Sequence, residues 1–402
     1  MDGPFASLVS EPSASPPPAT ASNGPSPPPS PEPASEWVAK ARAFCEERVR
    51  PNLRTWDRED LIPDDFFRAF GDAGFLGLTI PKEYGGQGLS TLEFARTLEE
   101  LAAGSGAAAT MMAVDLSVAA MPILQWGTEE QRQTFLPKIA RGTWIGAFGL
   151  TEPSVGSDSQ HLATRYRRAA APAEGWVLDG SKMFITNAAS SEVVLVFATS
   201  DPALEAKGIT CLLVRKGTPG FSVAQRLDKM GIRGSETMEL VFENCHVPED
   251  ALLGKEGQGF KIAMTALEGG RIGIAACSLG IARAALEETL RCLPRPAEDW
   301  QRSAVARMFV DVEASRALVE KAARLRDQGA DFAGAASAAK LFASQAAFRI
   351  ASRGLDVVGR SSFDREGACQ LEQLFRDSRV LTIVEGTTEI QELILGRRLL
   401  GR

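Results

Sequence analysis

The sequence has few of the residues that metal sites require. Its 402 residues include only two histidines and six cysteines, and no two cysteines form a C-x-x-C pair. A zinc or iron–sulfur site is therefore not expected. Scattered cysteines without a pairing pattern are typical of proteins that keep free thiols in a reducing compartment, so we predict a cytoplasmic location.

Clustered positive charge and long apolar runs are missing as well. The 44 basic and 51 acidic side chains give a net charge of −7 and an isoelectric point near 5.3. Nucleic-acid binding relies on clustered Lys and Arg, so no nucleic-acid partner is expected. No uninterrupted apolar run approaches the roughly 18 to 20 residues that span a bilayer, and no membrane span is expected.

Common nucleotide-binding and hydrolase motifs are also absent. No G-x-G-x-x-G follows a predicted strand, which excludes the usual dinucleotide fingerprint. There is no G-x-S-x-G, and a Ser/His/Asp triad would have to use His161 or His246. Residues 175–182 spell G-x-x-x-x-G-S-K, but Ser and Lys stand in the reverse of the P-loop order, so we predict a hairpin turn there.

The N-terminal segment differs in composition from the rest. Eleven of the 23 prolines lie between Pro4 and Pro33, in a stretch without Lys or Arg. Residues 1–35 are therefore predicted to be a disordered Pro-rich tail. The segment has neither the Arg-rich composition of a mitochondrial presequence nor the cationic start and apolar centre of a secretory signal. A tether to a larger assembly is the alternative.

The remainder divides into three blocks by its hydrophobic pattern. Residues 36–145 show helical spacing, which predicts an N-terminal helical domain. Residues 146–258 contain short β-branched and aromatic runs separated by Gly, Pro and Asp, which predict a mostly antiparallel sheet or barrel. In residues 259–402 an apolar stripe through Met308 and Val312 fits a bundle helix. The predicted fold class is α+β, with a β domain between two helical domains.

Polar and glycine-rich segments lie near the block boundaries, where multidomain enzymes place their sites. They are residues 148–158, 182–187, 230–237, 268–271 and 384–391. Taken singly, each has a local explanation; Thr387, for example, is a suitable helix N-cap. Taken together, with T-E-P-x-x-G-S-D in the first and E-G-T-x-E-I-Q in the last, they resemble the acyl-CoA dehydrogenase family from about residue 36 to the C-terminus.

The resemblance implies a fold and a reaction. The fold has an N-terminal helical domain, a middle β domain and a C-terminal four-helix bundle. Members bind FAD and desaturate an acyl thioester, carried on coenzyme A or on an acyl carrier protein, and pass electrons to an acceptor such as an electron-transfer flavoprotein. Glu385 matches the base that removes the α-proton while hydride leaves the β carbon for FAD. Some branches place the base next to the arginine of residues 268–271, where this chain has Gly270.

The resemblance also assigns contacts. The residues expected to bind FAD are Phe148, Leu150, Thr151, Phe184, Ile185, Thr186, Thr387, Thr388 and Glu389. The residues expected to contact the substrate are Ser157, Glu268, Arg271 and Gly386. The N–H of Gly386 is expected to polarise the thioester carbonyl.

Two segments depart from the family pattern. Relatives carry R-x-x-F-G followed by Gln after the first helix of the last block, whereas residues 293–300 are shorter and have Asp299 at the Gln position. The family's Q-x-x-G-G is replaced by residues 356–360. Both segments contact FAD across a subunit interface, so Arg295 or Arg360 becomes a candidate replacement cation. The chain is expected to form a homodimer or a homotetramer.

Three alternatives remain open from the sequence. The first is an oxidase or monooxygenase on the same scaffold, although Glu385 disfavours the nitroalkane-oxidising branch, which uses Asp at that position. The second is a specialised-metabolism enzyme that acts on a thioester of an acyl carrier protein. The third is a scaffold protein that binds no flavin.

Overall fold

The computed structural model describes residues 35–172, 174–293, 296–363 and 369–401. The predicted tail lies outside the described residues except for Ser35. The α-helices of the described residues are α1 Glu36–Phe44, α2 Leu53–Glu59, α3 Asp64–Asp72, α4 Thr91–Gly104, α5 Gly106–Val114, α6 Met121–Trp126, α7 Glu129–Ala140, α8 Gly259–Cys292, α9 Asp299–Asp327, α10 Ala333–Val358, α11 Leu371–Val380 and α12 Thr388–Leu400.

The strands of the same residues are β1 Gly146–Gly149, β2 Arg165–Arg168, β3 Trp176–Thr186, β4 Val193–Thr199, β5 Ile209–Arg215, β6 Phe221–Arg226, β7 Thr237–Val247 and β8 Leu252–Leu253. Two π-helical segments, Cys45–Val49 and Asp115–Ala120, continue α1 and α5, and short 3₁₀ turns join several elements. The order is helices, then strands, then helices, as the hydrophobic pattern predicts.

Hydroxyl side chains mark where several N-terminal helices begin. Ser35, Ser90, Ser105 and Thr128 each accept a backbone N–H in the first turn of α1, α4, α5 and α7. Short polar side chains stabilise a helix start because they satisfy an N–H that has no partner within the helix. The helices then pack around a cluster of aromatic rings whose centroids lie 4.6 to 5.7 Å apart; its members are Phe44, Phe66, Phe70 and Phe75.

The eight strands form one mixed sheet. Its order is β6-β7-β3-β2-β4-β5-β8, and β1 pairs with β4. The pairs of β4 with β1 and with β2 are parallel, and the other pairs are antiparallel. Every residue of β4 is buried, and Trp176, Leu212 and Phe242 belong to the core of this domain. The α+β fold class is confirmed.

Strand β3 contains a β-bulge at the place where the sequence predicts a hairpin turn. Residues 175–182 are not a hairpin turn, since most of them lie within β3, which pairs with β7 through two register shifts. Gly180 has a φ of +143°, and a Cβ there would lie 2.7 Å from the Cα of Thr164. The glycine therefore permits a β-bulge within a continuous strand and allows the backbone of Thr164 to pass close to it.

Helix α8 is the central element of the C-terminal bundle. It packs against α9, α10 and α11 of the bundle and against α4 and α5 of the N-terminal domain. Gly280 lies at the contact with α4, where a Cβ would be 2.3 Å from the carbonyl oxygen of Glu99. The absence of a side chain at this position lets the two helices approach closely.

Two helical stretches are long and apolar enough to cross a bilayer by length and composition, although neither is an uninterrupted apolar run. They are residues 106–126 and α8. Of their most apolar windows, 83% and 78% are buried inside the protein. Core helices have this property, so the two stretches are weak evidence for a membrane span.

Gly280→Ala tests the close contact between α4 and α8. We expect the free energy of unfolding to fall by about 1–3 kcal/mol, because the added methyl group forces the two helices apart. Gly396→Ala is the matched control. Gly396 lies in α12, and no atom of the described residues is within 4 Å of a Cβ there; helix propensity favours Ala by up to about 1 kcal/mol. Urea unfolding measures both, and equal shifts would contradict the contact.

Candidate active site

Two hydrogen bonds join the first two predicted site segments at the sheet. The N–H of Met183 donates to the carbonyl of Thr151 over 2.9 Å. The Lys182 ammonium group donates to the carbonyl of Leu150 over 3.1 Å. The segment that carries Leu150 and Thr151 is thereby tied to β3 at two successive residues.

A buried ion pair anchors this junction. The Nζ of Lys182 lies 2.7 Å from Oε1 of Glu152, and the two side chains are 0% and 2% exposed. Glu152 also accepts the backbone N–H groups of Ala163 at 2.6 Å and Thr164 at 2.9 Å. Burial opposes ionisation of Glu152, but Lys182 and these hydrogen bonds hold its pKa below the usual range. The Glu152 carboxylate is therefore an ionised structural anchor.

Phe184 presents its ring to solvent from within β3. The residue has a φ of +62° and is 65% exposed, whereas the adjacent Ile185 is 2% exposed. An aromatic residue in the left-handed region is a conformational outlier, and such strain occurs most often at ligand sites. Thr186 follows on the same strand, half-buried and paired with Thr237 of β7. An open aromatic face next to a hydroxyl group can receive a flat polar ring system.

The predicted base lies in a turn between α11 and α12. Glu385 has a φ of +53° and Gly386 a φ of +95°. Both carboxylate oxygens of Glu385 are buried, and neither has a hydrogen-bond partner within the described residues. Burial raises the pKa of Glu385 to about 8, and the charges of Arg271 and Lys340 limit the rise. A carboxylate with this pKa can take up a proton near neutral pH.

A glycine on α8 leaves space for the carboxylate. A Cβ at Gly270 would lie 2.1 Å from Oε2 of Glu385. The fourth and fifth predicted segments therefore meet here. The next residue, Arg271, is 6% exposed; its Nη1 lies 3.5 Å from the Ser337 hydroxyl, and its Nε has no partner within the described residues. Burial lowers the pKa of Arg271, while Glu268 and Glu385 oppose that change.

Two residues without a predicted role hold this turn. Lys340 on α10 donates from Nζ to the carbonyl of Gly386 over 2.7 Å. Gln391 donates from Nε2 to the carbonyls of Glu385 at 3.3 Å and Gly386 at 3.0 Å. Gln391 is the last residue of the E-G-T-x-E-I-Q motif but was given no role. Lys340 had a weaker signal: it is a lysine on the apolar, alanine-rich face of a predicted helix.

Other residues with a predicted cofactor role occupy structural positions as well. The ring of Phe148 packs on that of Phe197, with centroids 4.8 Å apart. Thr387 is the N-cap of α12, as its sequence context predicts, and Thr388 is the first residue of that helix. Glu389 follows and is exposed. A capping role does not conflict with a ligand contact, which stays a prediction for all of these residues.

The third segment, residues 230–237, meets α11 instead of the Glu385 turn. The N–H of Ile232 donates to Oδ1 of Asp377 over 2.5 Å, and burial raises the pKa of Asp377 to about 7. Ser157 lies exposed on the loop after β1, and Glu268 is half-buried on α8. The structure records no contact between these last two residues, so their shared substrate role stays a prediction.

The segments that depart from the family pattern have contacts of their own. Asp299 begins α9, and Gln301 in its first turn donates from Nε2 to the carbonyl of Val357 over 3.0 Å. Arg360 is exposed just after α10. Arg295, the other candidate replacement cation, lies outside the described residues. The replacement of a family cation by Arg295 or Arg360 stays a prediction.

One cluster within the described residues has donor atoms close enough to hold a metal ion. The ligand atoms of Glu288, Cys292 and Cys369 lie within 4.8 Å of one another. The Glu288 carboxylate, however, accepts Arg291 at 2.6 and 2.8 Å and the N–H of Gln370 at 2.6 Å. Its oxygens thus have partners within the protein, and the expectation of no metal site stays a prediction.

Three models of acyl-CoA dehydrogenase domains match the chain. The N-terminal domain matches residues 31–143, the middle domain 147–245 and the C-terminal domain 257–400. The mitochondrial short-chain specific acyl-CoA dehydrogenase of Homo sapiens is 38% identical over 378 residues, which cover 92% of this chain and 90% of the human protein.

Two solved structures are similar over nearly the whole length. A chain in a structure of the electron transferring flavoprotein of Acidaminococcus fermentans has 36% identity and a TM-score of 0.87, over 91% of this chain and 97% of that one. The prolyl acyl carrier protein oxidase has 29% identity and a TM-score of 0.85, over 90% and 98%. These similarities extend across all three blocks of the chain.

Lys182→Met tests the buried anchor beneath the Leu150–Thr151 segment. The substitution leaves the Glu152 carboxylate buried without its cation, so we expect the free energy of unfolding to fall by about 3–5 kcal/mol at pH 7. The double variant Lys182→Met, Glu152→Gln removes both charges and is expected to regain most of that loss. Urea unfolding followed by circular dichroism measures both. A double variant no more stable than the single one would argue against the pair.

Proposed function

The chain belongs to the acyl-CoA dehydrogenase family, whose members are oxidoreductases acting on CH–CH bonds, and on that premise we propose that it dehydrogenates an acyl thioester between the α and β carbons. The observation that carries the proposal is the Glu385 carboxylate, buried with both oxygens unpaired within the described residues. With a pKa near 8, it is suited to accept a proton from carbon.

The residues on the sheet side fit a flavin, and we propose FAD as the cofactor. The fit rests on the strained, 65% exposed Phe184 and on the segment of Leu150 and Thr151, which the Lys182–Glu152 pair holds rigid. When bound, FAD supplies a hydride acceptor at N5 of its ring system. Further proposed contacts come from Phe148, Ile185, Thr186, Thr387, Thr388 and Glu389.

In the proposed mechanism Glu385 removes the α-proton. Gly270 leaves space for the carboxylate, while the charges of Arg271 and Lys340 favour its ionised form. The N–H of Gly386 follows the base directly in the chain and is the proposed donor to the thioester carbonyl, where negative charge develops as the proton leaves. Ser157, Glu268 and Arg271 are the proposed substrate contacts.

We propose a short acyl group on coenzyme A as the first substrate to test. This choice is supported by 38% identity to the human short-chain specific enzyme. A thioester of an acyl carrier protein is the second candidate, supported by the similarity to the prolyl acyl carrier protein oxidase. Anaerobic titration of the FAD-loaded protein with short, medium and long acyl-CoA, and with the matching carrier thioesters, separates these candidates by which one bleaches the flavin absorbance.

The electron acceptor has two candidates, because the chain is also similar to an oxidase. An electron-transfer flavoprotein is the proposed acceptor, supported by the similarity to a chain in the A. fermentans structure. Oxygen is the alternative acceptor. Recovery of flavin absorbance on mixing with air distinguishes them, because a dehydrogenase that retains its product is expected to recover slowly. A homodimer or homotetramer in the cytoplasm remains the prediction for assembly and location.

Glu385→Gln is the direct test of the proposed base. The amide keeps the size of the side chain but cannot accept the α-proton, so we expect substrate-dependent bleaching to slow at least on the order of a thousandfold. FAD binding should be retained, and Glu392→Gln serves as the matched control, since Glu392 is an exposed acid on α12. Stopped-flow absorbance measures the rate. Near-normal bleaching by Glu385→Gln would refute the assignment.

The pH dependence of kcat/KM tests the environment of the base. Only the ionised carboxylate accepts a proton, and burial raises the pKa of Glu385 to about 8, so activity should rise with pH and level off above that value. At pH 6 we expect kcat/KM about a hundredfold below its plateau. Steady-state rates with a non-titrating substrate measure the profile. A plateau that already begins near pH 5 is incompatible with a buried, unpaired base.

A further inference from the structure

The Glu385–Gly386 turn adopts a conformation that needs support from other residues. Both residues have left-handed φ angles, +53° and +95°, and Glu385 is not a glycine. The turn directs the carboxyl group against Gly270 of α8. A glutamate in this region is strained, and such strain persists only where surrounding contacts enforce it.

The recorded contacts to the carbonyl groups of the turn come from two side chains. Gln391 reaches both carbonyls, but it lies in the first turns of α12, on the same segment as the base. Lys340 lies on α10, 46 positions away in the chain, and its Nζ is 2.7 Å from the Gly386 oxygen. Because α10 packs against α8, Lys340 connects the turn to the helix pair that contains Gly270.

The burial of Lys340 indicates that its ammonium group has a specific use. The residue is 0% exposed, and burial lowers its pKa to about 8, against the attraction of Glu385. An ammonium group inside a helix bundle is unfavourable unless it is paired and hydrogen-bonded. An alanine or leucine would fill the alanine-rich face of α10 without that cost. Two recorded interactions compensate for this burial: the hydrogen bond to the Gly386 carbonyl and the attraction of Glu385.

We propose that Lys340 is a positioning residue for the base: by donating to the Gly386 carbonyl it holds the Glu385–Gly386 turn in its left-handed conformation and keeps the Glu385 carboxylate against Gly270. The proposal rests on the proposed function of Glu385. Lys340 does not touch the substrate in this scheme. It acts on the reaction through the placement and the charge of the base.

The same ammonium group contributes to the electrostatics of the base. Among the described residues, the charged or titratable groups that interact around the turn are Glu268, Arg271 and Cys277 on α8, Lys340 on α10 and Glu389 on α12. Burial is the largest cause of the raised pKa of Glu385, and the two cations oppose it. Loss of the Lys340 cation should therefore raise the pKa of Glu385 further.

Lys340→Met separates positioning from general stability. Methionine matches the length of the lysine stem and suits a buried position, so the variant is expected to fold. Lys321→Met is the matched control, since Lys321 is exposed on α9. Hydrogen exchange by mass spectrometry on residues 384–391 measures how firmly the turn is held. We expect exchange at least about tenfold faster in Lys340→Met and unchanged in Lys321→Met.

Two kinetic measurements follow with the FAD-loaded protein. Bleaching by Lys340→Met should slow by about a hundredfold with little change in KM, because a displaced base loses its alignment with the α-proton. The pH at which kcat/KM reaches half its plateau should be about one pH unit higher in Lys340→Met than in the wild type, because the pKa of Glu385 rises. A lysine that only stabilised the fold, without acting on Glu385, would leave this half-plateau pH unchanged on substitution.

The outcomes distinguish this inference from the proposed function. Unchanged exchange over residues 384–391 in Lys340→Met overturns the inference, whatever the activity. An unchanged rate and pH profile overturns it as well, while bleaching of the wild type but not of Glu385→Gln leaves the proposed function standing. Faster exchange in a protein that no acyl thioester bleaches supports the contact with the turn but overturns the proposed reaction.

Discussion

The burial of one carboxylate is the constraint on which the candidate site depends. An ionised carboxylate in the interior is unfavourable unless cations or hydrogen-bond donors compensate. For Glu385 the compensation is partial: Arg271 and Lys340 act through their charges, and neither carboxylate oxygen has a hydrogen-bond partner within the described residues. The pKa of this carboxyl group is therefore raised to about 8, which suits the proposed role as a base. The strained turn, the glycine at position 270 and the buried lysine each serve that arrangement.

A second buried acid shows how far the surroundings decide the role of a carboxylate. The Glu152 side chain is only 2% exposed, but it accepts Lys182 and two backbone N–H groups, and its pKa is lowered. It is therefore fixed and unreactive. Its position next to the Leu150–Thr151 segment stiffens the sheet side of the site, whereas Glu385 remains available on the helical side. Both residues are glutamates, and the difference in their pKa follows from the hydrogen-bond donors that contact Glu152 and do not contact Glu385 within the described residues.

The departures from the family pattern lie away from this centre. Arg360 is exposed after α10, and Gln301 at the start of α9 bonds to Val357 near the end of α10. That contact stabilises the end of the bundle within one chain, in a region where relatives are expected to reach across a subunit interface. The contacts around Glu385 and Lys182 do not depend on it.

The sequence alone predicted the order of helical and β blocks and the α+β class, because hydrophobic period is a local property of the chain. Its motifs and the family resemblance point to Glu385 as the candidate base, which stays a prediction. The sequence failed where a residue's role depends on a neighbour distant in sequence. Gly180 was interpreted as part of a turn, since a bulge is defined by the partner strand. Lys340 and Gly270 meet the Glu385 turn only through the packing of α8, α10 and the segment before α12. Tertiary structure alone decided which carboxylate is paired and which is not, because desolvation and charge act through space.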